Sequence, residues 1–210
     1  MARIPNGIQG PVQGKVGTVI GSSRNGIPYI KGLYKNRTKS VSKKELANRK
    51  KFAAAQAWLS PLLDFVREGF RGFSQRSHGF IAAKSWLLKN SFVPDASGLR
   101  IDPALVKLSF GNLPLPANLA VNLAETGDLK FTWDPAYKDG TDRSDQIMML
   151  AYDVEKSHAV FNTTGQLCST GTDILTLDRT YGKNFHVYAA FNAYDRSRQS
   201  DSVYLGEWKI

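Results

Sequence analysis

The chain has 210 residues, a single cysteine and a formal net charge of +10. That length suits one large domain or two small ones, and the lone Cys168 excludes an intramolecular disulfide. Hydrophobic residues make up 42% of the sequence, which is enough to build a core without disulfides. The composition therefore predicts a folded protein and excludes a disulfide-rich scaffold.

The N-terminus shows neither a secretory signal nor a membrane anchor. The opening residues MARIPNG lack the apolar run that a signal peptide needs. No stretch approaches the roughly 20 apolar residues of a membrane helix. We therefore expect no membrane span and synthesis in the cytoplasm without a cleaved signal peptide. Export by a route that needs no cleaved leader fits the same pattern.

The charge is concentrated at one end of the chain. Residues 1–52 contain twelve basic side chains and one acidic side chain, a formal charge of +11, and the remainder carries −1. Such asymmetry is typical of a segment that meets a polyanion, and a solvated basic surface is the alternative. The candidate nucleic-acid-binding residues are Lys15, Arg24, Lys31, Lys35, Arg37, Lys39, Lys43, Lys44, Arg49, Lys50 and Lys51.

A glycine-rich stretch, GPVQGKVGTVIGSSRNGIPYIKG, covers residues 10–32. Its β-branched residues indicate short strands, and the Asn25-Gly26 pair predicts a hairpin turn. Glycines in strands mark tight turns or the close approach of another backbone. We predict an arm that lies along a neighbouring copy, or else a strand layer on the chain's own helices. The candidate assembly residues are Gly10, Gly14, Gly17, Gly21 and Gly26.

Three helices are predicted downstream of the arm. A capping box at Ser42–Glu45 begins an alanine-rich helix with apolar residues at helical spacing. Ser60 and Pro61 predict a second helix to about Gly69, with serine as its cap and proline in its first position. Ser77 is the predicted cap of a third helix over residues 78–90.

The remaining sequence indicates β-structure. Residues 104–110 alternate like a strand, and a proline-containing linker follows. Short strands separated by turns then continue to the C-terminus, as an immunoglobulin-like sandwich requires. The predicted strands are Ala117–Asn122, Leu129–Trp133, Ile147–Val154, Ala159–Asn162, Asp173–Leu177, Asn184–Asn192 and Ser202–Ile210.

Two of these strands show a clear alternation. Leu129, Phe131 and Trp133 are predicted to face inward on one strand. Another strand alternates in the same way, with His186 on its outward side. The inward residues of that strand are Phe185, Val187, Ala189 and Phe191.

Known glycine motifs do not fit the arm. A phosphate-binding loop needs four residues between its glycines and Ser or Thr after the lysine. Gly10 and Gly14 enclose only three residues, and Val16 follows Lys15. The small-residue spacing also resembles that of paired membrane helices, but Lys15 interrupts any apolar stretch. We therefore predict no nucleotide-binding loop and no membrane helix pair here.

The sequence also lacks recognisable catalytic and metal-binding motifs. The histidines His78, His158 and His186 form no zinc-binding pair, and no nucleophile elbow occurs. Asp142 and Asp145 lie in an acceptor-rich loop without the spacing of an EF-hand. The sequence therefore predicts no catalytic residues, no metal site and no cofactor.

The C-terminal half resembles a fibronectin type III domain. The matching segments are LKFTW and NFHVYAAFNAYDRSRQSDSVYLG. Phe185 stands where that family usually has a tyrosine in its sixth strand. The resemblance implies a sandwich that serves as a spacer or a binding module, and it implies no particular ligand.

The whole chain also resembles an uncharacterised family that occurs mostly in Bacteroidetes and bears a domain-of-unknown-function label. The matching segments are NGIQGPVQGKVGTVIGSSRNGIPYIKG, WLSPLLDFVREGF, SHGFIAAKSWLLKN and LPLPANLAV, in chain order. This resemblance implies no established activity.

These observations predict an α+β protein. Residues 1–112 would form a basic glycine-rich β-arm or hairpin with a helical assembly region, and residues 113–210 an immunoglobulin-like, fibronectin III-like sandwich. We expect a non-enzymatic, homo-oligomeric structural protein, most concretely a virion or shell coat protein whose basic arm contacts nucleic acid. The alternatives are a surface adhesion module with a protein or glycan partner at the sandwich loops, and a nucleic-acid-associated protein that does not assemble.

Overall fold

A computed structural model describes residues 3–4, 10–24, 26–36, 38, 40–74, 78–95, 98–135, 140–178 and 182–210. The described chain is mixed α+β, with one helical region and strands in four sheets, as predicted at that level. It divides into two compact units, Met1–Leu46 and Ala47–Ile210. The predicted boundary at 112/113, placed at the proline-containing linker, lies inside the second unit, where helices and C-terminal strands share a core.

The first unit contains a three-stranded antiparallel sheet. Its strands are β1 (Gly14–Val16), β2 (Val19–Arg24) and β3 (Ile27–Gly32), in the order β1-β2-β3. Two residues join β2 to β3, at the position of the predicted hairpin turn. Arg3 extends the β1 edge through a reciprocal pair of backbone hydrogen bonds with Gln13, at 2.7 and 2.8 Å.

Gly21 is the buried residue of this sheet. The backbone carbonyl of Val12 packs directly against it, so a Cβ at this position would collide with that oxygen. Glycine is therefore required here by the close approach of a backbone segment, and that segment belongs to the same chain.

Three α-helices follow the sheet: α1 (Lys43–Leu59), α2 (Leu63–Gly69) and α3 (Gly79–Asn90). The predicted cap of α1 is confirmed, because the Glu45 amide donates to Ser42 Oγ at 3.2 Å. The predicted cap at Ser60 is wrong. Its hydroxyl donates back to the Gln56 carbonyl at 2.8 Å, and residues Ser60–Leu62 form a 3-10 turn. The predicted cap at Ser77 lies outside the described residues.

The second unit contains nine strands among its described residues. A hairpin that the sequence analysis missed pairs β4 (Phe92–Asp95) with β5 (Gly98–Ile101). The others lie close to their predicted positions: β6 (Ala120–Leu123), β7 (Leu129–Thr132), β8 (Gln146–Asp153), β9 (His158–Asn162), β10 (Thr172–Leu175), β11 (Asn184–Asn192) and β12 (Val203–Lys209). They form one sheet in the order β10-β7-β6 and another in the order β12-β11-β8-β9.

The four-stranded sheet is buried on both faces. One face packs against the helices. Its residues are Met148, Leu150, Tyr152, Tyr188 and Ala190. The other face packs against the three-stranded sheet, with the predicted inward residues of β7 and β11 buried there. Its own residues are Ile147, Met149, Ala151, Phe185, Val187, Ala189 and Phe191.

The predicted strand at residues 104–110 is wrong. Residues Pro103–Leu105 form a 3-10 turn, and the following segment joins no sheet. Its backbone hydrogen bonds go elsewhere: the Leu108 amide donates to Ser202 Oγ, and the Phe110 amide donates to the carbonyl of Gly69. The alternation of apolar residues is real, because Leu108 and Val106 are buried, but their backbone lies between helix and sheet.

Replacing Tyr188 would measure how much its hydrogen bond to the 3-10 turn at Pro103–Leu105 contributes to stability. Its buried hydroxyl donates to the Pro103 carbonyl at 2.7 Å. We expect Tyr188→Phe to lower the free energy of unfolding by about 1 kcal/mol, because a buried hydrogen bond is lost. Tyr194→Phe is the matched control, since Tyr194 is 64% exposed. If urea denaturation shows that both variants lose the same free energy of unfolding, the Tyr188 hydrogen bond does not stabilise the fold.

Candidate nucleic-acid interface

The register of the first sheet places three cations on one face. Ile20 pairs with Lys15 on one side and with Lys31 on the other, so both lysines flank it on the same face. Arg24 lies four residues further along β2 and therefore points the same way. The strand spacing puts the two lysines roughly 10 Å apart across β2.

An aromatic ring lies among these cations. Tyr29 pairs with Ser22, between the row that contains Lys31 and the row that contains Arg24. Its side chain is 42% exposed. A ring on a flat sheet surrounded by cations provides a stacking surface for a base beside charges for phosphates.

The opposite face of the sheet carries no charge in its described strands. Val16 pairs with Val19, and Ile30 pairs with the buried Gly21. Ile30 is 65% exposed, and both valines are also exposed. We call these two surfaces the cationic face and the neutral face. Period-2 alternation makes this separation possible, because neighbouring residues along a strand point to opposite sides.

The free edge of β3 is partly blocked. The Leu33 amide donates to the Thr18 carbonyl, so these two residues form a hydrogen-bonded pair of the antiparallel ladder. Hydrogen-bonded and non-hydrogen-bonded pairs alternate along the strands, and the backbone groups of residues 28, 30 and 32 therefore point away from β2. Pro28 has no N–H, so an added strand can pair fully only at Ile30 and Gly32.

The segment after the sheet adds further basic residues. Lys31 Nζ lies 5.2 Å from the centroid of the exposed Tyr34 ring, a cation–π contact. Lys35 is exposed next to it. The predicted residues Arg37 and Lys39 lie outside the described part of the chain.

The N-terminal part of α1 carries the second group of predicted cations. None of its residues from Lys43 to Ala54 is buried. Lys43 and Lys50 are seven residues apart and lie on one side of the helix, as do Lys44 and Lys51. Arg49 lies on a different side. Lys51 Nζ also lies 4.6 Å from the Phe92 ring centroid, which holds part of its charge against the second unit's own surface.

The predicted assembly glycines are distributed over the first unit. Gly14 and Gly21 pair across β1 and β2, and Gly17 and Gly26 lie in turns. Gly10 helps to line a cavity of about 370 Å³. The cavity's other lining residues are Pro11, Val12, Pro28, Tyr29 and Ile30.

Cys168 is poorly suited to act as a nucleophile. Burial, with a contribution from Asp145, raises the pKa of its thiol, so the thiolate is disfavoured. Its backbone carbonyl accepts a hydrogen bond from Trp133 Nε1 at 2.7 Å, inside the sandwich core. Among the described residues, no group of three His, Cys, Asp or Glu side chains could hold a metal ion.

His186 lies on the helix-facing side of β11, half-buried. Its Nδ1 is 2.9 Å from the Tyr204 hydroxyl, and the two rings are 6.0 Å apart. Burial lowers the pKa of His186 below its ordinary value of 6.5, and the carboxylates of Glu207, Asp153 and Asp102 oppose that shift. His78 is exposed, and His158 begins β9.

The described chain is a mixed α+β protein with a small two-faced sheet in its first unit and, in its second unit, two packed sheets of which one is covered by helices. Residues 11–206 match a family of unknown function, DUF6266, and the chain belongs to that family. This confirms the predicted resemblance at the level of an uncharacterised family. No curated protein and no solved structure matches the chain. None of the helices in the described part of the chain is long and apolar enough to cross a membrane.

The lowered pKa of His186 predicts a pH-dependent stability. The unfolded chain binds a proton below about pH 6.5 that the folded state resists, so stability is full above that pH and decreases as the pH falls through the folded-state pKa. We expect His186→Asn to reduce the loss of unfolding free energy between about pH 7.5 and about pH 5.5. His78→Asn is the control and should retain the full loss. Identical pH profiles for His186→Asn and the parent protein would contradict the prediction.

Proposed function

We propose that this protein is a non-enzymatic structural protein that assembles through the neutral face of its first sheet and presents the cationic face to nucleic acid. The most concrete form of the proposal is a coat protein of a virion or shell. The observation that carries it is the register-defined separation of Lys15, Arg24 and Lys31 from the uncharged apolar surface behind them.

The exposure of the first sheet supports self-association. A sheet of three short strands needs a packed apolar face for stability. Val16, Val19 and Ile30 are exposed on its neutral face, around the point where the chain's own Val12 carbonyl covers Gly21. A second copy suits this face because the absence of charge there avoids repulsion between two strongly basic segments. The partly open β3 edge at Ile30 and Gly32 then directs where a neighbouring strand can pair.

We further infer that the C-terminal half is an immunoglobulin-like sandwich of the fibronectin III kind. The strand order supports this, because β6, β7 and β10 correspond to A, B and E, and β8, β9, β11 and β12 to C, C′, F and G. One sheet of this sandwich is covered by the helices, which distinguishes it from a free-standing domain. Its exposed loops at the strand ends are where the alternative function, a surface binding module, would place a ligand.

Nucleic-acid binding is tested by removing the cationic face. We expect Lys15→Gln/Arg24→Gln/Lys31→Gln to weaken binding of a fluorescent oligothymidylate. The slope of log affinity against log salt should fall by about 2, because roughly 0.7 is lost per phosphate contact. Fluorescence anisotropy across a salt series measures both quantities.

The matched control removes three exposed lysines of the second unit, Lys89→Gln/Lys130→Gln/Lys209→Gln. It has the same net charge as the test variant. If both triple variants lose the same slope, binding follows net charge alone and the cationic face is not the interface.

Assembly is tested by placing a charge on the neutral face. Ile30→Glu should convert large particles into a monomer of 23.2 kDa, because a desolvated carboxylate is costly in an apolar interface. Leu99→Glu is the control, since Leu99 is 57% exposed in the β4–β5 hairpin. Light scattering on a sizing column, with absorbance at 260 nm, measures both mass and packaged nucleic acid.

Uniform particles that absorb at 260 nm and that disappear only with Ile30→Glu would support the coat-protein proposal. A parent protein that is monomeric at all salt concentrations would overturn it. A salt-sensitive monomer or dimer that binds oligonucleotide would favour the non-assembling alternative, and a monomer without such binding would favour the surface module.

A further inference from the structure

A cleft in the second unit lies between the end of α2 and the loop that joins β11 to β12. Its volume is about 490 Å³, within the range of small-molecule sites. The residues that give it chemical character are Arg71, Phe73, Phe110, Asn112, Arg198 and Gln199. None of its described lining residues carries a carboxylate, and the Glu68 carboxylate that pairs with Arg71 lies outside this lining.

Buried hydrogen bonds hold the walls of this cleft in place. The amide of the buried Gln199 side chain donates to the carbonyls of Arg71 and Phe110, at 2.6 and 3.0 Å. Gly111 packs against the Gln199 carbonyl so closely that a Cβ would collide with it. The cleft is therefore pre-formed, with its two sides joined through one side chain.

Two guanidinium groups border the cleft. Arg71 Nη2 pairs with Glu68 Oε1 at 2.5 Å, and Arg198 Nη2 donates to the Gly140 carbonyl at 3.0 Å. Each contact orients an arginine through one nitrogen, and a guanidinium carries five N–H donors. Both side chains are exposed, and they can donate further bonds to an oxyanion.

An exposed aromatic ring forms another wall. Phe73 is 43% exposed and meets Phe110 edge-on, with 5.2 Å between the ring centroids. Phe110 in turn stacks on Phe70 and contacts Trp86, at 6.4 and 5.4 Å. The inner rings hold Phe73 in position and leave part of its surface free to contact a planar group.

We propose that this cleft binds a nucleoside monophosphate unit, either a free nucleotide or one residue of a single strand. The base packs on Phe73, and the phosphate accepts hydrogen bonds from Arg71 and Arg198. This combination of a ring surface with cations is how single-stranded nucleic acids are held without sequence preference. The site uses no residue of the first sheet, so it stands or falls independently of the proposed assembly function.

The experiment is isothermal titration calorimetry of the full chain with adenosine 5′-monophosphate. Adenosine and inorganic phosphate are titrated separately as the two halves of the ligand. We expect the nucleotide to bind at least about tenfold more tightly than either half, because only it engages both the ring and the arginines. Phe73→Leu and Arg198→Gln should each weaken its binding by about tenfold.

Arg67→Gln is the matched control, because Arg67 is an exposed arginine of α2 that pairs with Asp64 and lies outside the cleft. Circular dichroism confirms that the variants fold. A short oligoadenylate that competes with the nucleotide, but binds much more tightly, identifies a strand as the ligand; equal affinities identify a free nucleotide. The proposal is overturned if the nucleotide fails to bind at about 1 mM, or if Arg67→Gln weakens binding as much as Arg198→Gln.

Discussion

The burial of β8 and β11 on both faces is the constraint on which the second unit depends. Alternate residues of these strands enter two different cores, one under the helices and one inside the sandwich. Removing either the helices or the β10-β7-β6 sheet would expose an apolar surface of β8 and β11. The helices therefore share a core with the four-stranded sheet, and both lie in the compact unit Ala47–Ile210.

The first unit has the opposite character. Gly21 is the one buried residue of its strands, and most of their apolar and basic side chains are exposed, with Ile20 and Lys31 half-buried. Hydrophobic burial contributes little to the stability of so small a sheet. The proposed function rests on the two surfaces of this sheet, while the buried cores lie in the second unit.

Local patterns predicted much of the fold because local chemistry controls those elements. The capping box at Ser42 and the alternation of Leu129 and Phe131 were sufficient to place α1 and β7. Other features depend on distant partners. The segment at 104–110 alternates like a strand, yet its amides bond to Ser202 and Gly69, far away in sequence. The burial of β8 on both faces was not predicted from the sequence. The continuous apolar run from Ile147 to Tyr152 could have indicated it, because such runs are typical of strands covered on both sides.

The sequence alone determined that the net positive charge belongs to the first 52 residues and that one cysteine excludes an intramolecular disulfide. It also placed most strands correctly from turns and alternation. These properties are local or compositional. Only the tertiary structure decided that Lys15, Arg24 and Lys31 share one face and that Arg71 and Arg198 meet at one cleft. The register of the two turns aligns the three cations of the first sheet, and long-range packing brings the two arginines together from positions 127 residues apart in the sequence.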